Sequence, residues 1–341
     1  MAGPSPTWTP DILGRPFQQT TLPLGVEGLH GPLVATLVRS IPNPVRSLFA
    51  PLRDIDVLYV HGWSDYFFQR ELARFWTRRG ARFYALDLRR YGRSLREGDT
   101  PGYIDSLDDY DVDIAAALTA MEHEEHSTSG RPGRSAGRRL VLMGHSTGGL
   151  TLCLWAARHP GRVAALVMNS PWLELQLGAL GRQALAPLVD IRARLDPRGA
   201  QPGVDFGFYT RAQEEIGSLP DGDQRLRWRP DRGFPIAPGW LSAVMQGHRR
   251  VAAGIDVGCP ALVLLSTRST PPLSWKESMT SSDSVLVVDD IARAAIRLGD
   301  LVTIARIDGA IHDVFLSLPH AREQAYHELD RWLDGYLAPS V

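Results

Sequence analysis

The pentapeptide Gly144-His145-Ser146-Thr147-Gly148, followed by Gly149, stands directly behind the apolar run 140–143. This Gly-x-Ser-x-Gly pattern is the sequence form of a sharp strand-to-helix turn that presents a serine as nucleophile. Its glycines have a mechanical reason. A serine on so tight a turn takes a strained backbone conformation and needs neighbours without side chains on both flanks. The pattern is short, so its flanks decide: a strand must precede it and a helix must follow. Both are expected, because 140–143 reads as a short buried strand and 150–158 as a helix stopped by His159-Pro160-Gly161.

The pattern around this turn sets the fold class. Residues 55–60 and 81–86 read as strands, 68–79 and 107–123 as helices, and this alternation implies a parallel sheet with crossover helices. Upstream, extended segments 17–24 and 33–40 are separated by Gly25, Gly28, Gly31 and Pro32, which predicts an antiparallel edge hairpin. Downstream come strands 163–168, 261–266 and 301–307 and helices 291–298 and 318–337. Residues 124–139 are polar, rich in Gly, Ser and Arg and without apolar periodicity, so a flexible surface loop is expected there. The segment 171–258 contains helix-like 175–194 and then a stretch rich in Gly, Pro, Arg and Trp with no clear strand. Too long for an ordinary loop, it reads as a cap inserted into a core made of 1–170 and 259–341. A chain of 341 residues with 44% apolar content suffices for one such core with a modest insertion.

A formal net charge of -1 gives no electrostatic argument for nucleic acid or an anionic membrane, so the expected partner is a small molecule. No apolar run approaches a membrane span, and residues 1–16 lack a basic n-region and an apolar h-region; a cytoplasmic location is the expectation. Cys153 falls inside the helix after the elbow and Cys259 just before a strand, which predicts buried thiols rather than a disulfide.

A serine hydroxyl is a poor nucleophile at neutral pH, so Ser146 needs a base, and the base needs an acid to fix its tautomer and stabilise its charged form. His312 suits the base. It lies in Asp308-Gly309-Ala310-Ile311-His312-Asp313, just past strand 301–307, whereas His320 and His327 fall on the last helix. For the acid, strand 261–266 is followed by an irregular Ser/Pro/Thr-rich excursion, 267–282, and then by Asp283, the favoured candidate. Asp289 and Asp290 suit a helix start instead; Asp308, Asp313 and Glu174 are the remaining alternatives. The oxyanion hole needs two main-chain N–H groups. Thr147 supplies one by position, and His61-Gly62-Trp63 behind strand 55–60 supplies Trp63 as the other, with His61 read as structural. His123-Glu124-Glu125-His126 lacks metal-ligand spacing, and Asp87 to Ser94 carries no nucleotide fingerprint, so neither a cofactor nor a metal is implied.

With these residues in hand, the chain resembles the α/β-hydrolase superfamily, and more closely its serine aminopeptidase-like, lysophospholipase and monoacylglycerol-lipase-like branch. The resemblance covers roughly 55–337 and rests on His61-Gly62-Trp63, on the D-L-R-x-x-G-R-S stretch from Asp87 to Ser94, on the elbow, and on the G-A-x-H-D stretch from Gly309 to Asp313. It implies a mostly parallel eight-stranded sheet flanked by helices, with a helical cap after the sixth strand, where 171–258 lies. One departure is the excursion 267–282, since members of this branch carry the acid soon after the seventh strand. The expected activity is hydrolysis of a carboxylic ester through Ser146, Asp283 and His312. Trp172, Leu173, Leu175, Leu177, Leu180 and Trp240 suit an acyl pocket or the packing of the cap equally well. A serine aminopeptidase, with Glu214 or Glu215 holding a substrate amine, and a catalytically silent binding protein are the alternatives.

Overall fold

The computed structural model describes residues 6–27, 31–128, 137–175, 179–199, 206–220 and 222–337. In chain order the elements are β1 (Thr9–Pro10), β2 (Gln18–Val26), β3 (Pro32–Ser40), α1 (Pro44–Ser47), β4 (Ile55–Val60), α2 (Arg70–Arg78), β5 (Arg82–Asp87), α3 (Tyr110–Thr128), β6 (Arg139–His145), α4 (Thr147–Arg158) and β7 (Ala165–Asn169). Then follow α5 (Ala179–Leu195), α6 (Phe208–Glu215), α7 (Arg225–Trp228), α8 (Pro238–Ala253), β8 (Ala261–Ser266), α9 (Val288–Ala295), β9 (Val302–Ile307) and α10 (Pro319–Tyr336).

The strands form one sheet in the order β1-β2-β3-β5-β4-β6-β7-β8-β9. The expected eight strands are present, with the two-residue β1 added at one edge. Pairing is antiparallel from β1 to β5 and parallel from there to β9, so the upstream hairpin occupies the edge the sequence predicts. Strands β4, β5, β7 and β8 are buried along their whole lengths, as a sheet covered on both faces requires. Leu72 and Trp76 of α2 and Leu329 and Leu333 of α10 pack on one face. Ile114 of α3, Leu150 of α4, Val244 of α8 and Ile291 of α9 pack on the other.

Strand order reverses at β4, which has β5 on one side and β6 on the other. Loops leaving the carboxyl ends of such neighbours diverge and open a crevice, which is where open α/β sheets bind ligands. His61-Gly62-Trp63 leaves β4 and Ser146 leaves β6 at that point, and register aligns the two ends by pairing Val60 with Gly144.

One expectation needs correction. Helix α3 runs on to Thr128, so the first part of 124–139 is helical, and Arg138 and Arg139 at its end are tied to Asp56 and Asp54 as β6 begins; residues 129–136 lie outside the described ones. In 171–258, the stretch rich in Gly, Pro, Arg and Trp, where no strand is expected, contains the helices α6, α7 and the 16-residue α8. Helix α8 opens with Pro238 in its first turn, a favourable start that its Gly- and Pro-rich surroundings concealed. It packs against α5 and against α4, the helix of the elbow.

Candidate active site

Ser146 sits between β6 and α4 with φ 51° and ψ −117°. A non-glycine residue in that region is strained and persists only where its surroundings fix it. Here they do. The Ser146 N–H donates to Asn169 O at 3.1 Å, while Ser146 O accepts from Gly149, Leu150 and Trp172. The glycines matter through close approach as much as through flexibility. A Cβ on Gly148 would stand 2.3 Å from Val60 O and 2.4 Å from His61 O, and one on Gly144 would stand 2.6 Å from Gly149 N. The elbow and the loop after β4 therefore touch through bare backbone.

His312 lies past β9 and is buried, with its Nδ1 3.0 Å from Asp283 Oδ2. Asp283 is fully buried, and its Oδ1 accepts the N–H groups of Val285 and Leu286 at 2.8 Å each. The excursion 267–282 does not carry Asp283 away from His312. Asp283 pairs with Ser269 in a parallel bridge, Thr270 N–H donates to Asp283 O at 2.8 Å, and Asp283 N–H donates to Arg268 O at 3.0 Å, so the excursion is a loop closed at its base. The His312 ring lies 4.9 Å from that of His145, the residue before Ser146. Among the described residues no hydrogen bond links the Ser146 hydroxyl to His312; such bonds commonly tighten only in the Michaelis complex.

The N–H groups of Thr147 and Trp63 have no acceptor among the described residues, as donors kept for an oxyanion require. His61 is structural. Its Nδ1 bonds Gly62 O at 2.8 Å and its Nε2 accepts Leu88 N–H at 3.2 Å, which fixes the proton on Nδ1 and ties the oxyanion loop to the turn after β5.

That turn is the D-L-R-x-x-G-R-S stretch, and its charges are buried. Asp87 accepts from the N–H groups of Phe67 and Arg93 and from the Arg93 side chain at 2.8 Å; Arg93 also holds Asp11 at 2.7 Å, and Arg89 holds Asp113. Removing one partner of such a buried pair typically costs about 3–5 kcal/mol, because the other charge is left without compensation. Gly92, at φ 46°, leaves room for Asp87, since a Cβ there would meet its Oδ2 at 2.5 Å.

The alternatives weighed from the sequence lie elsewhere or do other work. Asp289 and Asp290 occupy the first turn of α9, Asp289 paired with Arg306 and Asp290 with Arg293. Glu214 and Glu215 are exposed on α6, and Glu215 pairs with Arg211. His320 packs against Gly309, and His327 lines a groove of about 390 Å³ between α2 and α10 that holds none of the site residues.

A profile described as serine aminopeptidase, S33, matches residues 54–267, more than half of the chain. The chain belongs to that family. It is 28% identical over 199 residues to a monoacylglycerol lipase of Mycolicibacterium smegmatis; the match covers 55% of this chain and 66% of that protein's length. Among solved structures, a monoacylglycerol lipase of Paleococcus ferrophilus superposes with TM-score 0.61 at 20% identity, covering 88% of this chain and 99% of the other. A soluble variant of monoglyceride lipase from Saccharomyces cerevisiae superposes with TM-score 0.59 at 14% identity, covering 98% and 97%. At these identities the two structures establish the α/β-hydrolase fold.

Around the site of this S33 family member lies a polar shell that the sequence did not reveal. Asp313 accepts from Asn169 Nδ2 at 2.7 Å, from Gln69 Nε2 at 3.1 Å and from Phe315 N–H at 3.0 Å, and Gln69 also donates to the Tyr59 hydroxyl. The side chain beside His312 is thus held by the loop before α2 and by the end of β7. A polar Asn169 closing an apolar strand was the available signal. Asp65, two residues past Trp63, pairs with Arg229 at 3.1 Å, and Phe234 N–H donates to Ser64 Oγ at 3.0 Å. Trp240 of α8 packs against Trp63 with ring centroids 3.6 Å apart and planes tilted by 35°, and Trp172 lies 6.0 Å from Trp240. Of the acyl-pocket candidates, Trp172, Leu173 and Trp240 pack into this core; Leu177 and the Leu180 side chain lie outside the described residues.

Two buried groups here act oppositely on stability. Burial pushes His145 from its ordinary 6.5 down to about 4, and neither of its ring nitrogens has a hydrogen-bond partner among the described residues. Burial pushes the Asp65 carboxyl from 3.8 up to about 7, in spite of Arg229 beside it. Between about pH 4 and 6.5 the unfolded chain binds more protons at His145, so that group makes stability rise with pH. Between about pH 4 and 7 the folded chain binds more at Asp65, so that group makes stability fall with pH. The stability advantage of wild type over His145→Gln is therefore expected to grow with pH across this window, at up to about 1.4 kcal/mol per pH unit. The advantage over Asp65→Asn is expected to shrink at a similar rate. Urea unfolding of the three proteins at several pH values reads both slopes, and parallel curves would sink the account.

Proposed function

We propose that this S33 family member is a serine hydrolase that cleaves a carboxylic ester, of lipid-like or small acyl type, through an acyl-enzyme intermediate. Ser146 is the nucleophile, His312 the base and Asp283 the acid, with Thr147 and Trp63 as oxyanion donors. The observation that carries this reading is the 3.0 Å bond between buried His312 and buried Asp283 beside a serine held at φ 51°. Asp283 accepts the Nδ1 proton of His312 and leaves the other ring nitrogen to take the Ser146 proton. The hydroxyl attacks the ester carbonyl, the oxyanion is held by the N–H groups of Thr147 and Trp63, and the alcohol leaves with the proton from His312. The same histidine then takes a proton from water, which attacks the acyl-enzyme; as the acyl–oxygen bond breaks, His312 returns that proton to Ser146 Oγ and the acid is released.

In this reading 171–258 is a cap and the remainder the core. Its support is the contact of the segment with the site: Trp172 N–H donates to Ser146 O, and Trp240 packs against Trp63. The acyl chain lies against these tryptophans. The monoacylglycerol lipases to which the chain is similar favour a lipid ester over a peptide, as does the exposure of Glu214 and Glu215, which leaves an amine with no anchor there. A cytoplasmic location belongs to the same proposal, supported by two unpaired thiols, Cys153 and Cys259; among the described residues no helix is long and apolar enough to cross a membrane.

Mass spectrometry after reaction with a fluorophosphonate, alongside turnover of p-nitrophenyl esters from acetate to laurate and of an aminoacyl arylamide, tests the reading. A single adduct on Ser146 with ester turnover is expected. Arylamide turnover without ester turnover would transfer the activity to peptides, and an adduct on another residue would displace Ser146.

A further inference from the structure

We infer that Tyr209, on α6, is a positioning residue for His312, through which both the helical segment between β7 and β8 and the excursion 267–282 act on the base. The inference rests on His312 being that base. Tyr209 makes two contacts with the His312 turn. Its hydroxyl accepts the N–H of Asp313, the next residue, at 3.2 Å, and its ring stands at 84° to the imidazole with centroids 5.5 Å apart. The first fixes the main chain that carries the base, and the second limits the tilt of its ring.

Tyr209 is itself held from two sides. On one, the Arg229 guanidinium lies 5.7 Å from the Tyr209 ring centroid, bonds Gln213 on the same helix, and pairs with Asp65 of the oxyanion loop at 3.1 Å. On the other, Trp275 packs beneath the Arg211 guanidinium at 4.0 Å and lies 6.3 Å from Phe208, both residues of α6. Trp275 belongs to 267–282, the loop whose base is closed on Asp283. The excursion thus has a use: it braces α6 from the acid's side while Arg229 braces it from the oxyanion loop. Helix α6 is fixed to three of the four parts a serine hydrolase must keep in register.

A general base works within hydrogen-bond reach of its proton, and a shift of about 1 Å can cost about 100-fold in rate. Tyr209→Phe keeps the ring, deletes the acceptor and leaves the Asp313 N–H without its partner. With p-nitrophenyl acetate, whose acyl group is too small to sample the cap, kcat is expected to fall about tenfold to 100-fold with KM within about twofold of wild type. The rate of fluorophosphonate labelling of Ser146 is expected to fall by the same factor. Since Asp283 also acts through His312, Tyr209→Phe in an Asp283→Asn background is expected to cost little more than Asp283→Asn alone. Trp275→Leu, which loosens α6 without touching the base, is expected to show the same kcat-selective loss at smaller size, and it keeps the test open should Tyr209→Phe fold poorly. An active wild type whose kcat and labelling rate are unchanged in these variants, with only the melting temperature lowered, would overturn the inference. A wild type that is neither labelled nor active on any ester would overturn the esterase reading and this inference with it.

Discussion

Ser146→Ala is expected to lower the turnover of p-nitrophenyl esters by about 10⁶-fold, and His312→Ala by a similar factor, because nucleophile and base act as one unit. The residual rate would come from the oxyanion donors, which remain. Stability should change little in Ser146→Ala. The native φ of 51° is strained for alanine as for serine, and the bonds that fix the elbow run through the Ser146 main chain. Steady-state kinetics with each variant, alongside urea unfolding, separates the two quantities. Turnover within about tenfold of wild type in Ser146→Ala would reject the nucleophile.

Asp283→Asn is expected to lower kcat by about 10⁴-fold while leaving the fold intact, because an amide can hold the imidazole in the wrong tautomer and cannot balance its charge. The comparison that gives this force is Asp313→Asn. Both acids are buried near His312, but only Asp283 bonds the ring, whereas Asp313 receives Asn169, Gln69 and the Phe315 N–H. Asp313→Asn should therefore act mainly on stability, through a network that exchanges an acceptor oxygen for an amide donor. A kcat loss in Asp313→Asn exceeding that in Asp283→Asn would reverse the assignment.

The elbow was legible because its requirements are local. A strand, two glycines, a serine and a helix lie within some twenty consecutive residues, and backbone sterics alone demand that order. The parallel sheet was legible for a related reason: a strand buried on both faces is apolar over most of its length, as β4, β7 and β8 are apart from Asp56, Asn169 and Ser266. His312, the candidate base, was legible from its place behind a strand. Helix α8 was obscured because Gly, Pro and Trp mask periodicity, and its burial comes from α4 and α5, which no local pattern announces.

The sequence by itself determined most of the sheet and its flanking helices, the elbow and the candidates for base and acid, because hydrophobic period and main-chain sterics act over a few residues. Only the tertiary structure decided that Asp283 meets His312 across an excursion of 16 residues, 267–282. The reason is that a loop closed at its base costs little more when it is lengthened, so chain distance places no useful bound on spatial distance. The same holds for Tyr209 beneath His312 and for Arg229 against Asp65, contacts that join segments 104 and 164 residues apart when counted from Tyr209 to Asp313 and from Asp65 to Arg229. Their energies come from burial and from pairing of charge, which exist only once the sheet has brought the segments together.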